Sequence, residues 1–290
     1  MDAVLSQDYP NVVDVIVAAA DEETADAARR PGVRVVGNPK GSTPAGLNLA
    51  IAAGQGQVVV RVDAHSTIPP NYVSIAVDTL IETRADNVGG MQVPVGETFW
   101  GRAIAAAMSS PAGSGDARYR IGGTAGPVET VYLGCFWREK LEAMGGFDER
   151  FERHQDYELN ERIRESGGVV WFDPHLKVDY RPRSSLRALA RQYYDYGAWK
   201  RTFARSHPAS LLPRQMAPPL LTIGLLVAIV LSVVWPPTLI LPVVYGLGLG
   251  AAALLTLPGS GMSSIGVPVA LATMHLAWGS GFIFGQTKER

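Results

Sequence analysis

The sequence predicts an α/β fold: a mostly parallel sheet with flanking helices, followed by a C-terminal transmembrane helical region. Three observations carry this reading. Short β-branched runs alternate with stretches of helical spacing through the first part of the chain. The run Val58-Val59-Val60-Arg61-Val62 stops abruptly at Asp63-Ala64-His65, as a strand buried on both faces does at the carboxyl edge of a parallel sheet. From Ala217 to Thr287 there is no Asp, Glu, Lys or Arg, so the two ends of the chain are built for different solvents.

Taken in order, Val12-Val13-Asp14-Val15-Ile16-Val17 is the first expected strand, and Asp21 to Arg30 a short helix with acidic residues at its positive end. Pro31-Gly32 breaks it, Val33 to Val36 is a second strand, and Asn38 to Pro44 a loop. Ala45 to Ala53 has helical spacing, Gly54 stops it, and the strand at Val58 follows. Pro69-Pro70-Asn71 opens a helix to about Thr83, and Val88 to Pro94 is the next strand. Met108 to Val128, rich in Gly, Ser and Ala, reads either as a surface loop or as a substrate lid. Val131 to Arg138 is a strand entering a helix to Met144, with Trp137 either core or a stacking platform. His154 to Arg164 is a helix closed by Gly167-Gly168; Leu159 and Ile163 share its buried face, while Glu158 and Arg162 form a surface pair and Arg164 is solvated.

The chain has 290 residues and a formal net charge of -1, without the basic excess a nucleic-acid partner would need. One cysteine, Cys135, excludes an internal disulfide framework and a cysteine-based zinc site. Met1 to Ser6 has neither a basic n-region nor an apolar h-region, so no secretory signal is expected there. The chemistry gathers at two acidic places. Asp63 and His65, two apart in an extended segment, point the same way and can reach one divalent cation, Mg²⁺ or Mn²⁺, whose remaining ligands come from phosphates and water; Asp63 as a cap or loop residue is the plainer alternative. Asp156, in the first turn of its helix, is either a cap stabilised by the helix dipole or a carboxylate available for proton transfer.

Ser6-Gln7-Asp8-Tyr9-Pro10-Asn11 followed by Val15-Ile16-Val17, then Asn38, Ala45-Gly46-Leu47-Asn48 and Asp63-Ala64-His65, resembles a family 2 glycosyltransferase of GT-A fold. The closest likeness is to the membrane-attached exopolysaccharide enzymes of the succinoglycan-synthesis type, whose metal motif ends in His, and it covers nearly the whole chain. Gln155-Asp156-Tyr157-Glu158-Leu159-Asn160-Glu161-Arg162 is similar to the acidic motif of that family, which implies Asp156 as general base of an inverting transfer. The resemblance further implies a nucleotide-sugar donor, a UDP-sugar first among them, bound by Asn48 and Asp63; Asp21 stands in for an acidic pair that the family carries after its second strand. Against the usual beginning of that family, the sequence starts inside the first helix, so a domain lacking the front strand is expected. Related synthases carry a Gln-x-x-Arg-Trp motif at the acceptor; Gln192 matches it, while Asp195 and Tyr196 replace the Arg and Trp.

Leu186 to Arg201 is amphipathic, basic and aromatic, which suits either a helix in the membrane interface, with Arg and Lys at headgroups and Trp and Tyr at the boundary, or a plain surface helix. Pro218 to Trp235, Thr238 to Leu257 and Ile265 to Gly285 are each long enough to cross a hydrocarbon core, which takes about 20 helical residues. The expected organisation is a GT-A-like domain over 1–183, an interfacial segment over 184–214 and a membrane domain over 215–290. Basic residues are dense from Arg181 to Arg214 and sparse at the far end, at Lys288 and Arg290, which puts the enzymatic domain of a multi-pass cell-membrane protein in the cytoplasm. Gly246, Gly248 and Gly250, with Gly279, Gly281 and Gly285, suit close helix packing, and His275 is either an interior hydrogen-bonded histidine or a ligand to a polyprenyl phosphate. The function expected is sugar transfer to a polyprenyl-linked acceptor. Two alternatives remain open at this level, a non-catalytic membrane scaffold built on a truncated transferase and a nucleotidyl transferase.

Overall fold

The computed structural model describes residues 1–287, so Lys288 and Arg290 lie outside the described residues. In chain order its elements are α1 (Asp2–Leu5), β1 (Val15–Ala19), α2 (Glu22–Ala28), β2 (Val33–Gly37), α3 (Thr43–Ala53), β3 (Val58–Val60), β4 (Ser66–Thr67), α4 (Tyr72–Thr83) and β5 (Asn87–Pro94). There follow α5 (Phe99–Met108), α6 (Pro111–Ser114), α7 (Arg118–Ile121), β6 (Gly126–Pro127), β7 (Tyr132–Trp137), α8 (Arg138–Ala143), α9 (Gln155–Glu165) and β8 (Val170–Tyr180). The chain ends in α10 (Leu186–Ser206), α11 (Pro213–Leu231), α12 (Ile240–Ser260) and α13 (Val267–Phe284). It divides into two units, one of residues 1–92 and 122–179, the other of residues 93–121 and 180–287.

In the first unit, Val12 and Val13 are exposed and the first strand begins only at Val15. β1 and β2 pair in parallel with Val15 opposite Val33, as a strand-helix-strand unit requires. The larger sheet has the order β3-β7-β5-β8-β4, with β6 paired to β8. Here the mostly parallel expectation needs correction: β7 runs antiparallel to both β3 and β5, and β6 antiparallel to β8, so the sheet is mixed. Alternation of strands and helices gives parallel pairing only where each connection packs back over the sheet as a crossover. Residues 93–121, between β5 and β7, group with the C-terminal helices instead. The Val88-Gly89-Gly90 step of β5 is a bulge against β7. A Cβ at Gly90 would overlap the Leu176 carbonyl of β8, so only glycine admits that approach.

α9 is docked on this sheet in three ways. Leu159 and Ile163 pack into a core with Phe136, Leu141, Phe147, Val170 and Phe172. Asn160 donates to Thr130 Oγ1 at 2.9 Å and accepts from Asn87 Nδ2 at 2.6 Å, so its buried amide is paired at both ends. Glu158 and Arg162 do not form the solvated pair expected of them. Glu158 is 2% exposed, and Arg162 grips both its oxygens at 2.6 and 2.8 Å while donating to the carbonyls of Gly146, at 2.8 Å, and Met144. The turn over residues 144–147 replaces water on that face of the helix. Arg164 likewise pairs with Glu161.

In the second unit, Met108 and the residues after it are not an open loop: they close α5 and form α6 and α7. α10, α11 and α12 all pack on α13. Glycine makes this possible, since a Cβ at Gly281 would overlap the Tyr194 carbonyl of α10 and one at Gly279 would overlap Thr222 and the Pro218 carbonyl of α11. Gly246, Gly248 and Gly250 of α12 meet nothing within 4 Å, so only the second of the two glycine groups serves packing inside the chain. Trp199 and Lys200 of α10, expected at a membrane boundary, are buried; Lys200 Nζ donates to Ser210 O at 3.0 Å and lies 4.8 Å from the Phe203 ring centroid. His275 is an interior hydrogen-bonded residue, with Nδ1 3.0 Å from Tyr245 Oη and Nε2 2.8 Å from Ala112 O. Three helical segments, Pro213–Leu231, Pro236–Leu257 and Gly261–Phe284, are long and apolar enough to cross a membrane. They leave large apolar side chains exposed, among them Val230, Leu247, Leu254 and Leu255, as lipid-facing helices do.

The glycine contrast predicts that Gly281→Ala lowers the thermal midpoint in detergent, whereas Gly248→Ala leaves it unchanged or slightly raises it. Equal effects would remove the packing argument. Arg162→Ala strands a buried carboxylate and is expected to cost about 3 kcal/mol, in the range for breaking a buried ion pair by removing one partner; denaturant unfolding measures it.

Candidate active site

The site is built at the end of β3. The Arg61 backbone N–H donates to Gly134 O at 2.8 Å, which carries the chain one residue past the strand before it turns out. The Arg61 side chain is 8% exposed; its Nε donates to Asp63 Oδ1 at 2.8 Å, and its guanidinium carbon lies 5.8 Å from the centroid of Phe147. Burial alone would make Arg61 easier to deprotonate. The charges of Asp63 and Asp156 outweigh that penalty and raise it above the ordinary arginine value. The structure thus pairs Asp63 with this buried cation, and the charge of Asp156 acts on it as well.

Each carboxylate is held differently. Asp63 is mostly covered, and its carbonyl accepts from Ser66 N at 2.9 Å, closing a turn over residues 63–66. Ser66 Oγ meets Tyr132 Oη at 2.7 Å, tying the far side of the turn to β7. His65 stands exposed within this turn. Asp156 lies in the first turn of α9, half-covered, and its Oδ1 accepts from the Tyr157 N–H at 2.8 Å. The cap position itself belongs to His154, whose backbone is left-handed at φ 65, a conformation that costs a non-glycine residue on the order of 1 kcal/mol. Asp156 is thus next to the positive end of a helix without being its cap.

The other expected binding residues lie elsewhere in this unit. Asp21 caps α2, accepting from Thr24 N at 2.7 Å, and hydrogen bonding to Thr24 holds its carboxyl below the usual range. Asn48 spends its amide on a neighbouring turn: Nδ2 donates to Phe147 O at 2.8 Å and Oδ1 accepts from Phe147 N at 2.9 Å. It thereby fixes the ring on which Arg61 rests. Gln7 donates to Pro69 O at 2.8 Å and accepts from Val73 N at 2.9 Å, docking the amino-terminal segment on the start of α4.

Among the described residues no three His, Cys, Asp or Glu side chains cluster as a metal site. Asp63 and His65 offer one carboxylate and one imidazole, a donor set that suits a hard divalent cation whose shell is completed by phosphate oxygens and water. The residues present fit such an ion. Arg61 was passed over in the sequence, although one arginine inside a run of valines is a signal: a buried strand tolerates it only beside acidic partners. What this arrangement offers chemically is two carboxylates on different elements, one in a turn that also carries an exposed imidazole and one at the start of a helix.

The family model for glycosyl transferase family 2 matches residues 1–145. A relative, the succinoglycan biosynthesis protein ExoA of Rhizobium meliloti (strain 1021), is 31% identical over 282 residues, covering 92% of this chain and 84% of its own length. Among solved structures, the mannosyltransferase PcManGT of Pyrobaculum calidifontis, in complex with GDP-Man and Mn²⁺, superposes with a TM-score of 0.59 at 19% identity, over 99% of this chain and 82% of that one. That likeness shows a shared GT-A fold. With half of its length matched by the family model and nearly all of it aligned to ExoA, the chain belongs to glycosyl transferase family 2 and is a glycosyltransferase.

Proposed function

We propose that this glycosyltransferase is inverting and metal-dependent, and that it moves a hexosyl group from a nucleotide sugar, first of all a UDP-sugar, to a polyprenyl-linked acceptor. The product is an intermediate of an exopolysaccharide or cell-envelope glycan, in keeping with the succinoglycan relative. The observation that carries this reading is Asp63 bonded to the buried Arg61, on which the charge of Asp156 also acts. A general base is a carboxylate placed to take the acceptor's proton, and Asp156, in the first turn of α9, is the second of these carboxylates.

In the step proposed, the acceptor hydroxyl oxygen attacks the anomeric carbon from the face opposite the leaving group. The bond from that carbon to the diphosphate oxygen breaks, the nucleoside diphosphate leaves with the electron pair, and the hydroxyl proton passes to Asp156. Asp63 and His65 would hold the divalent cation, which when bound supplies charge neutralisation at a departing diphosphate. Arg61 fixes the orientation of Asp63, and Asn48 bonds the backbone of Phe147, whose ring centroid lies 5.8 Å from the Arg61 guanidinium carbon. Three apolar helices following an α/β unit suit an enzyme whose donor is water-soluble and whose acceptor has a lipid tail. The basic residues from Arg181 to Arg214 favour a cytoplasmic placement of the catalytic unit in a multi-pass protein.

Purified protein in detergent, assayed for nucleoside diphosphate release against a panel of nucleotide sugars, tests the reading directly. Asp156→Asn should lower turnover at least about 100-fold, the scale of a general base, while Mn²⁺-dependent donor binding stays within about twofold of wild type by the same reasoning. Normal turnover in that variant would remove the assigned base. Chelation should abolish activity, with recovery on adding Mn²⁺ or Mg²⁺; full activity in the presence of excess chelator would end the metal assignment.

A further inference from the structure

β7 carries an irregularity that nothing in the transfer chemistry explains. Against β5, Val88 lies opposite Cys135 and Gly90 opposite Tyr132, so β7 takes three residue steps where β5 takes two. Between Tyr132 and Gly134, Leu133 has a left-handed backbone at φ 49, a conformation that favours glycine. One added residue reverses the alternation of side chains beyond it. Val131 and Phe136, five apart and so on opposite faces of a regular strand, accordingly share one core cluster with Leu159 and Phe172. Tyr132, which a regular strand would put on the face of Phe136, stands outside that cluster although it is buried.

The hydroxyl so turned away reaches the segment that carries Asp63 and His65: Ser66 Oγ and Tyr132 Oη meet at 2.7 Å. β3 and β4 stand at opposite ends of the sheet order, so residues 61–65 leave one ladder before the chain joins the next. The segment is fastened at its entry by the Arg61 N–H on Gly134 O, at 2.8 Å, and within by Ser66 N on Asp63 O, at 2.9 Å. Tyr132 fastens its exit. Both anchors on β7, Gly134 and Tyr132, flank Leu133, so the irregular residue sets the position of each. We infer that Tyr132 is a positioning residue for the cation-binding turn, and that the bulge at Leu133 aims it there. Through Ser66 it holds the turn closed, so that Asp63 and His65 are ordered before a divalent cation arrives and less ordering has to accompany its binding. Tyr132 acts through Ser66 and not on the ion. This rests on the reading of Asp63 and His65 as cation ligands.

The test is Mn²⁺ binding to the full-length protein in detergent, with no nucleotide sugar present, followed by the paramagnetic resonance of free Mn²⁺; the thermal midpoint of each metal-free variant is recorded alongside. Asp63→Ala sets the baseline. Tyr132→Phe is expected to weaken binding about three- to tenfold, the worth of one hydrogen bond. Ser66→Ala should weaken it by a similar factor, and the double variant by no more than either single one, because both remove the same contact. Ser66→Thr, which keeps the hydroxyl, should bind as wild type does. A residue that only fills space would lower the midpoint and leave Mn²⁺ affinity alone, so wild-type affinity in a folded Tyr132→Phe protein would overturn the inference. If that variant does not fold, wild-type affinity in Ser66→Ala would overturn it equally, as would additive losses in the double variant. Failure of the metal reading looks different: Asp63→Ala would then bind Mn²⁺ as wild type does, which removes the cation site and the role of Tyr132 together.

Discussion

An arginine sealed beneath the rim of a sheet must have anions at hand, because neither water nor a neutral hydrogen-bond acceptor repays the loss of hydration of a full charge. Arg61 meets that requirement with Asp63, two residues on, and is further favoured by the charge of Asp156, from another part of the chain. Much of the first unit follows from this. The strand that leads into Arg61 must end there, since the charge and its partner cannot continue into a valine core. α9 must be held firmly enough that its first turn stays beside the guanidinium. Leu159 and Ile163, the Asn87–Asn160–Thr130 chain of hydrogen bonds and the Glu158–Arg162 grip on residues 144–146 supply that hold.

The second unit is organised by contact distance rather than by charge. α13 is approached by α10 and α11 to the point where side chains would collide, and glycines at 197, 279 and 281 remove them. Without a hydrophobic driving force between helices in lipid, close backbone approach and a few satisfied polar groups do the joining. The His275 pairings to Tyr245 and Ala112 and the Arg201 bond to Ile283 O at 2.7 Å are of that kind. The glycines of α12 face open space, which separates two stripes that look alike in the sequence.

Features that depend on short-range pattern were legible in the residues. β-branched runs give strands, breaks at Pro and Gly give their limits, and the uncharged stretch from Ala217 to Thr287 gives membrane-length helices; β2, α3, α4 and α13 fall within a few residues of expectation. The Asp63 turn was legible because an abrupt end to an apolar run is a local event. Arg61 was missed because its meaning lies in where Asp156 comes to rest, 95 positions away by their numbers. Glu158 and Arg162 look like any surface pair spaced four apart until another turn covers them. Burial is a property of what packs on a residue, and a helix does not encode which of its polar faces will be covered.

Local covalent and steric preference, together with the partition of apolar groups from water, was enough to decide that this chain has an α/β part and an apolar helical part, and which residues carry acid chemistry. Strand direction, the departure of residues 93–121 from the sheet to join the helices, and the meeting of Asp63 with Asp156 around Arg61 were decided in three dimensions. They arise from contacts between residues distant in the chain, whose energies exist only once the backbone has closed on itself.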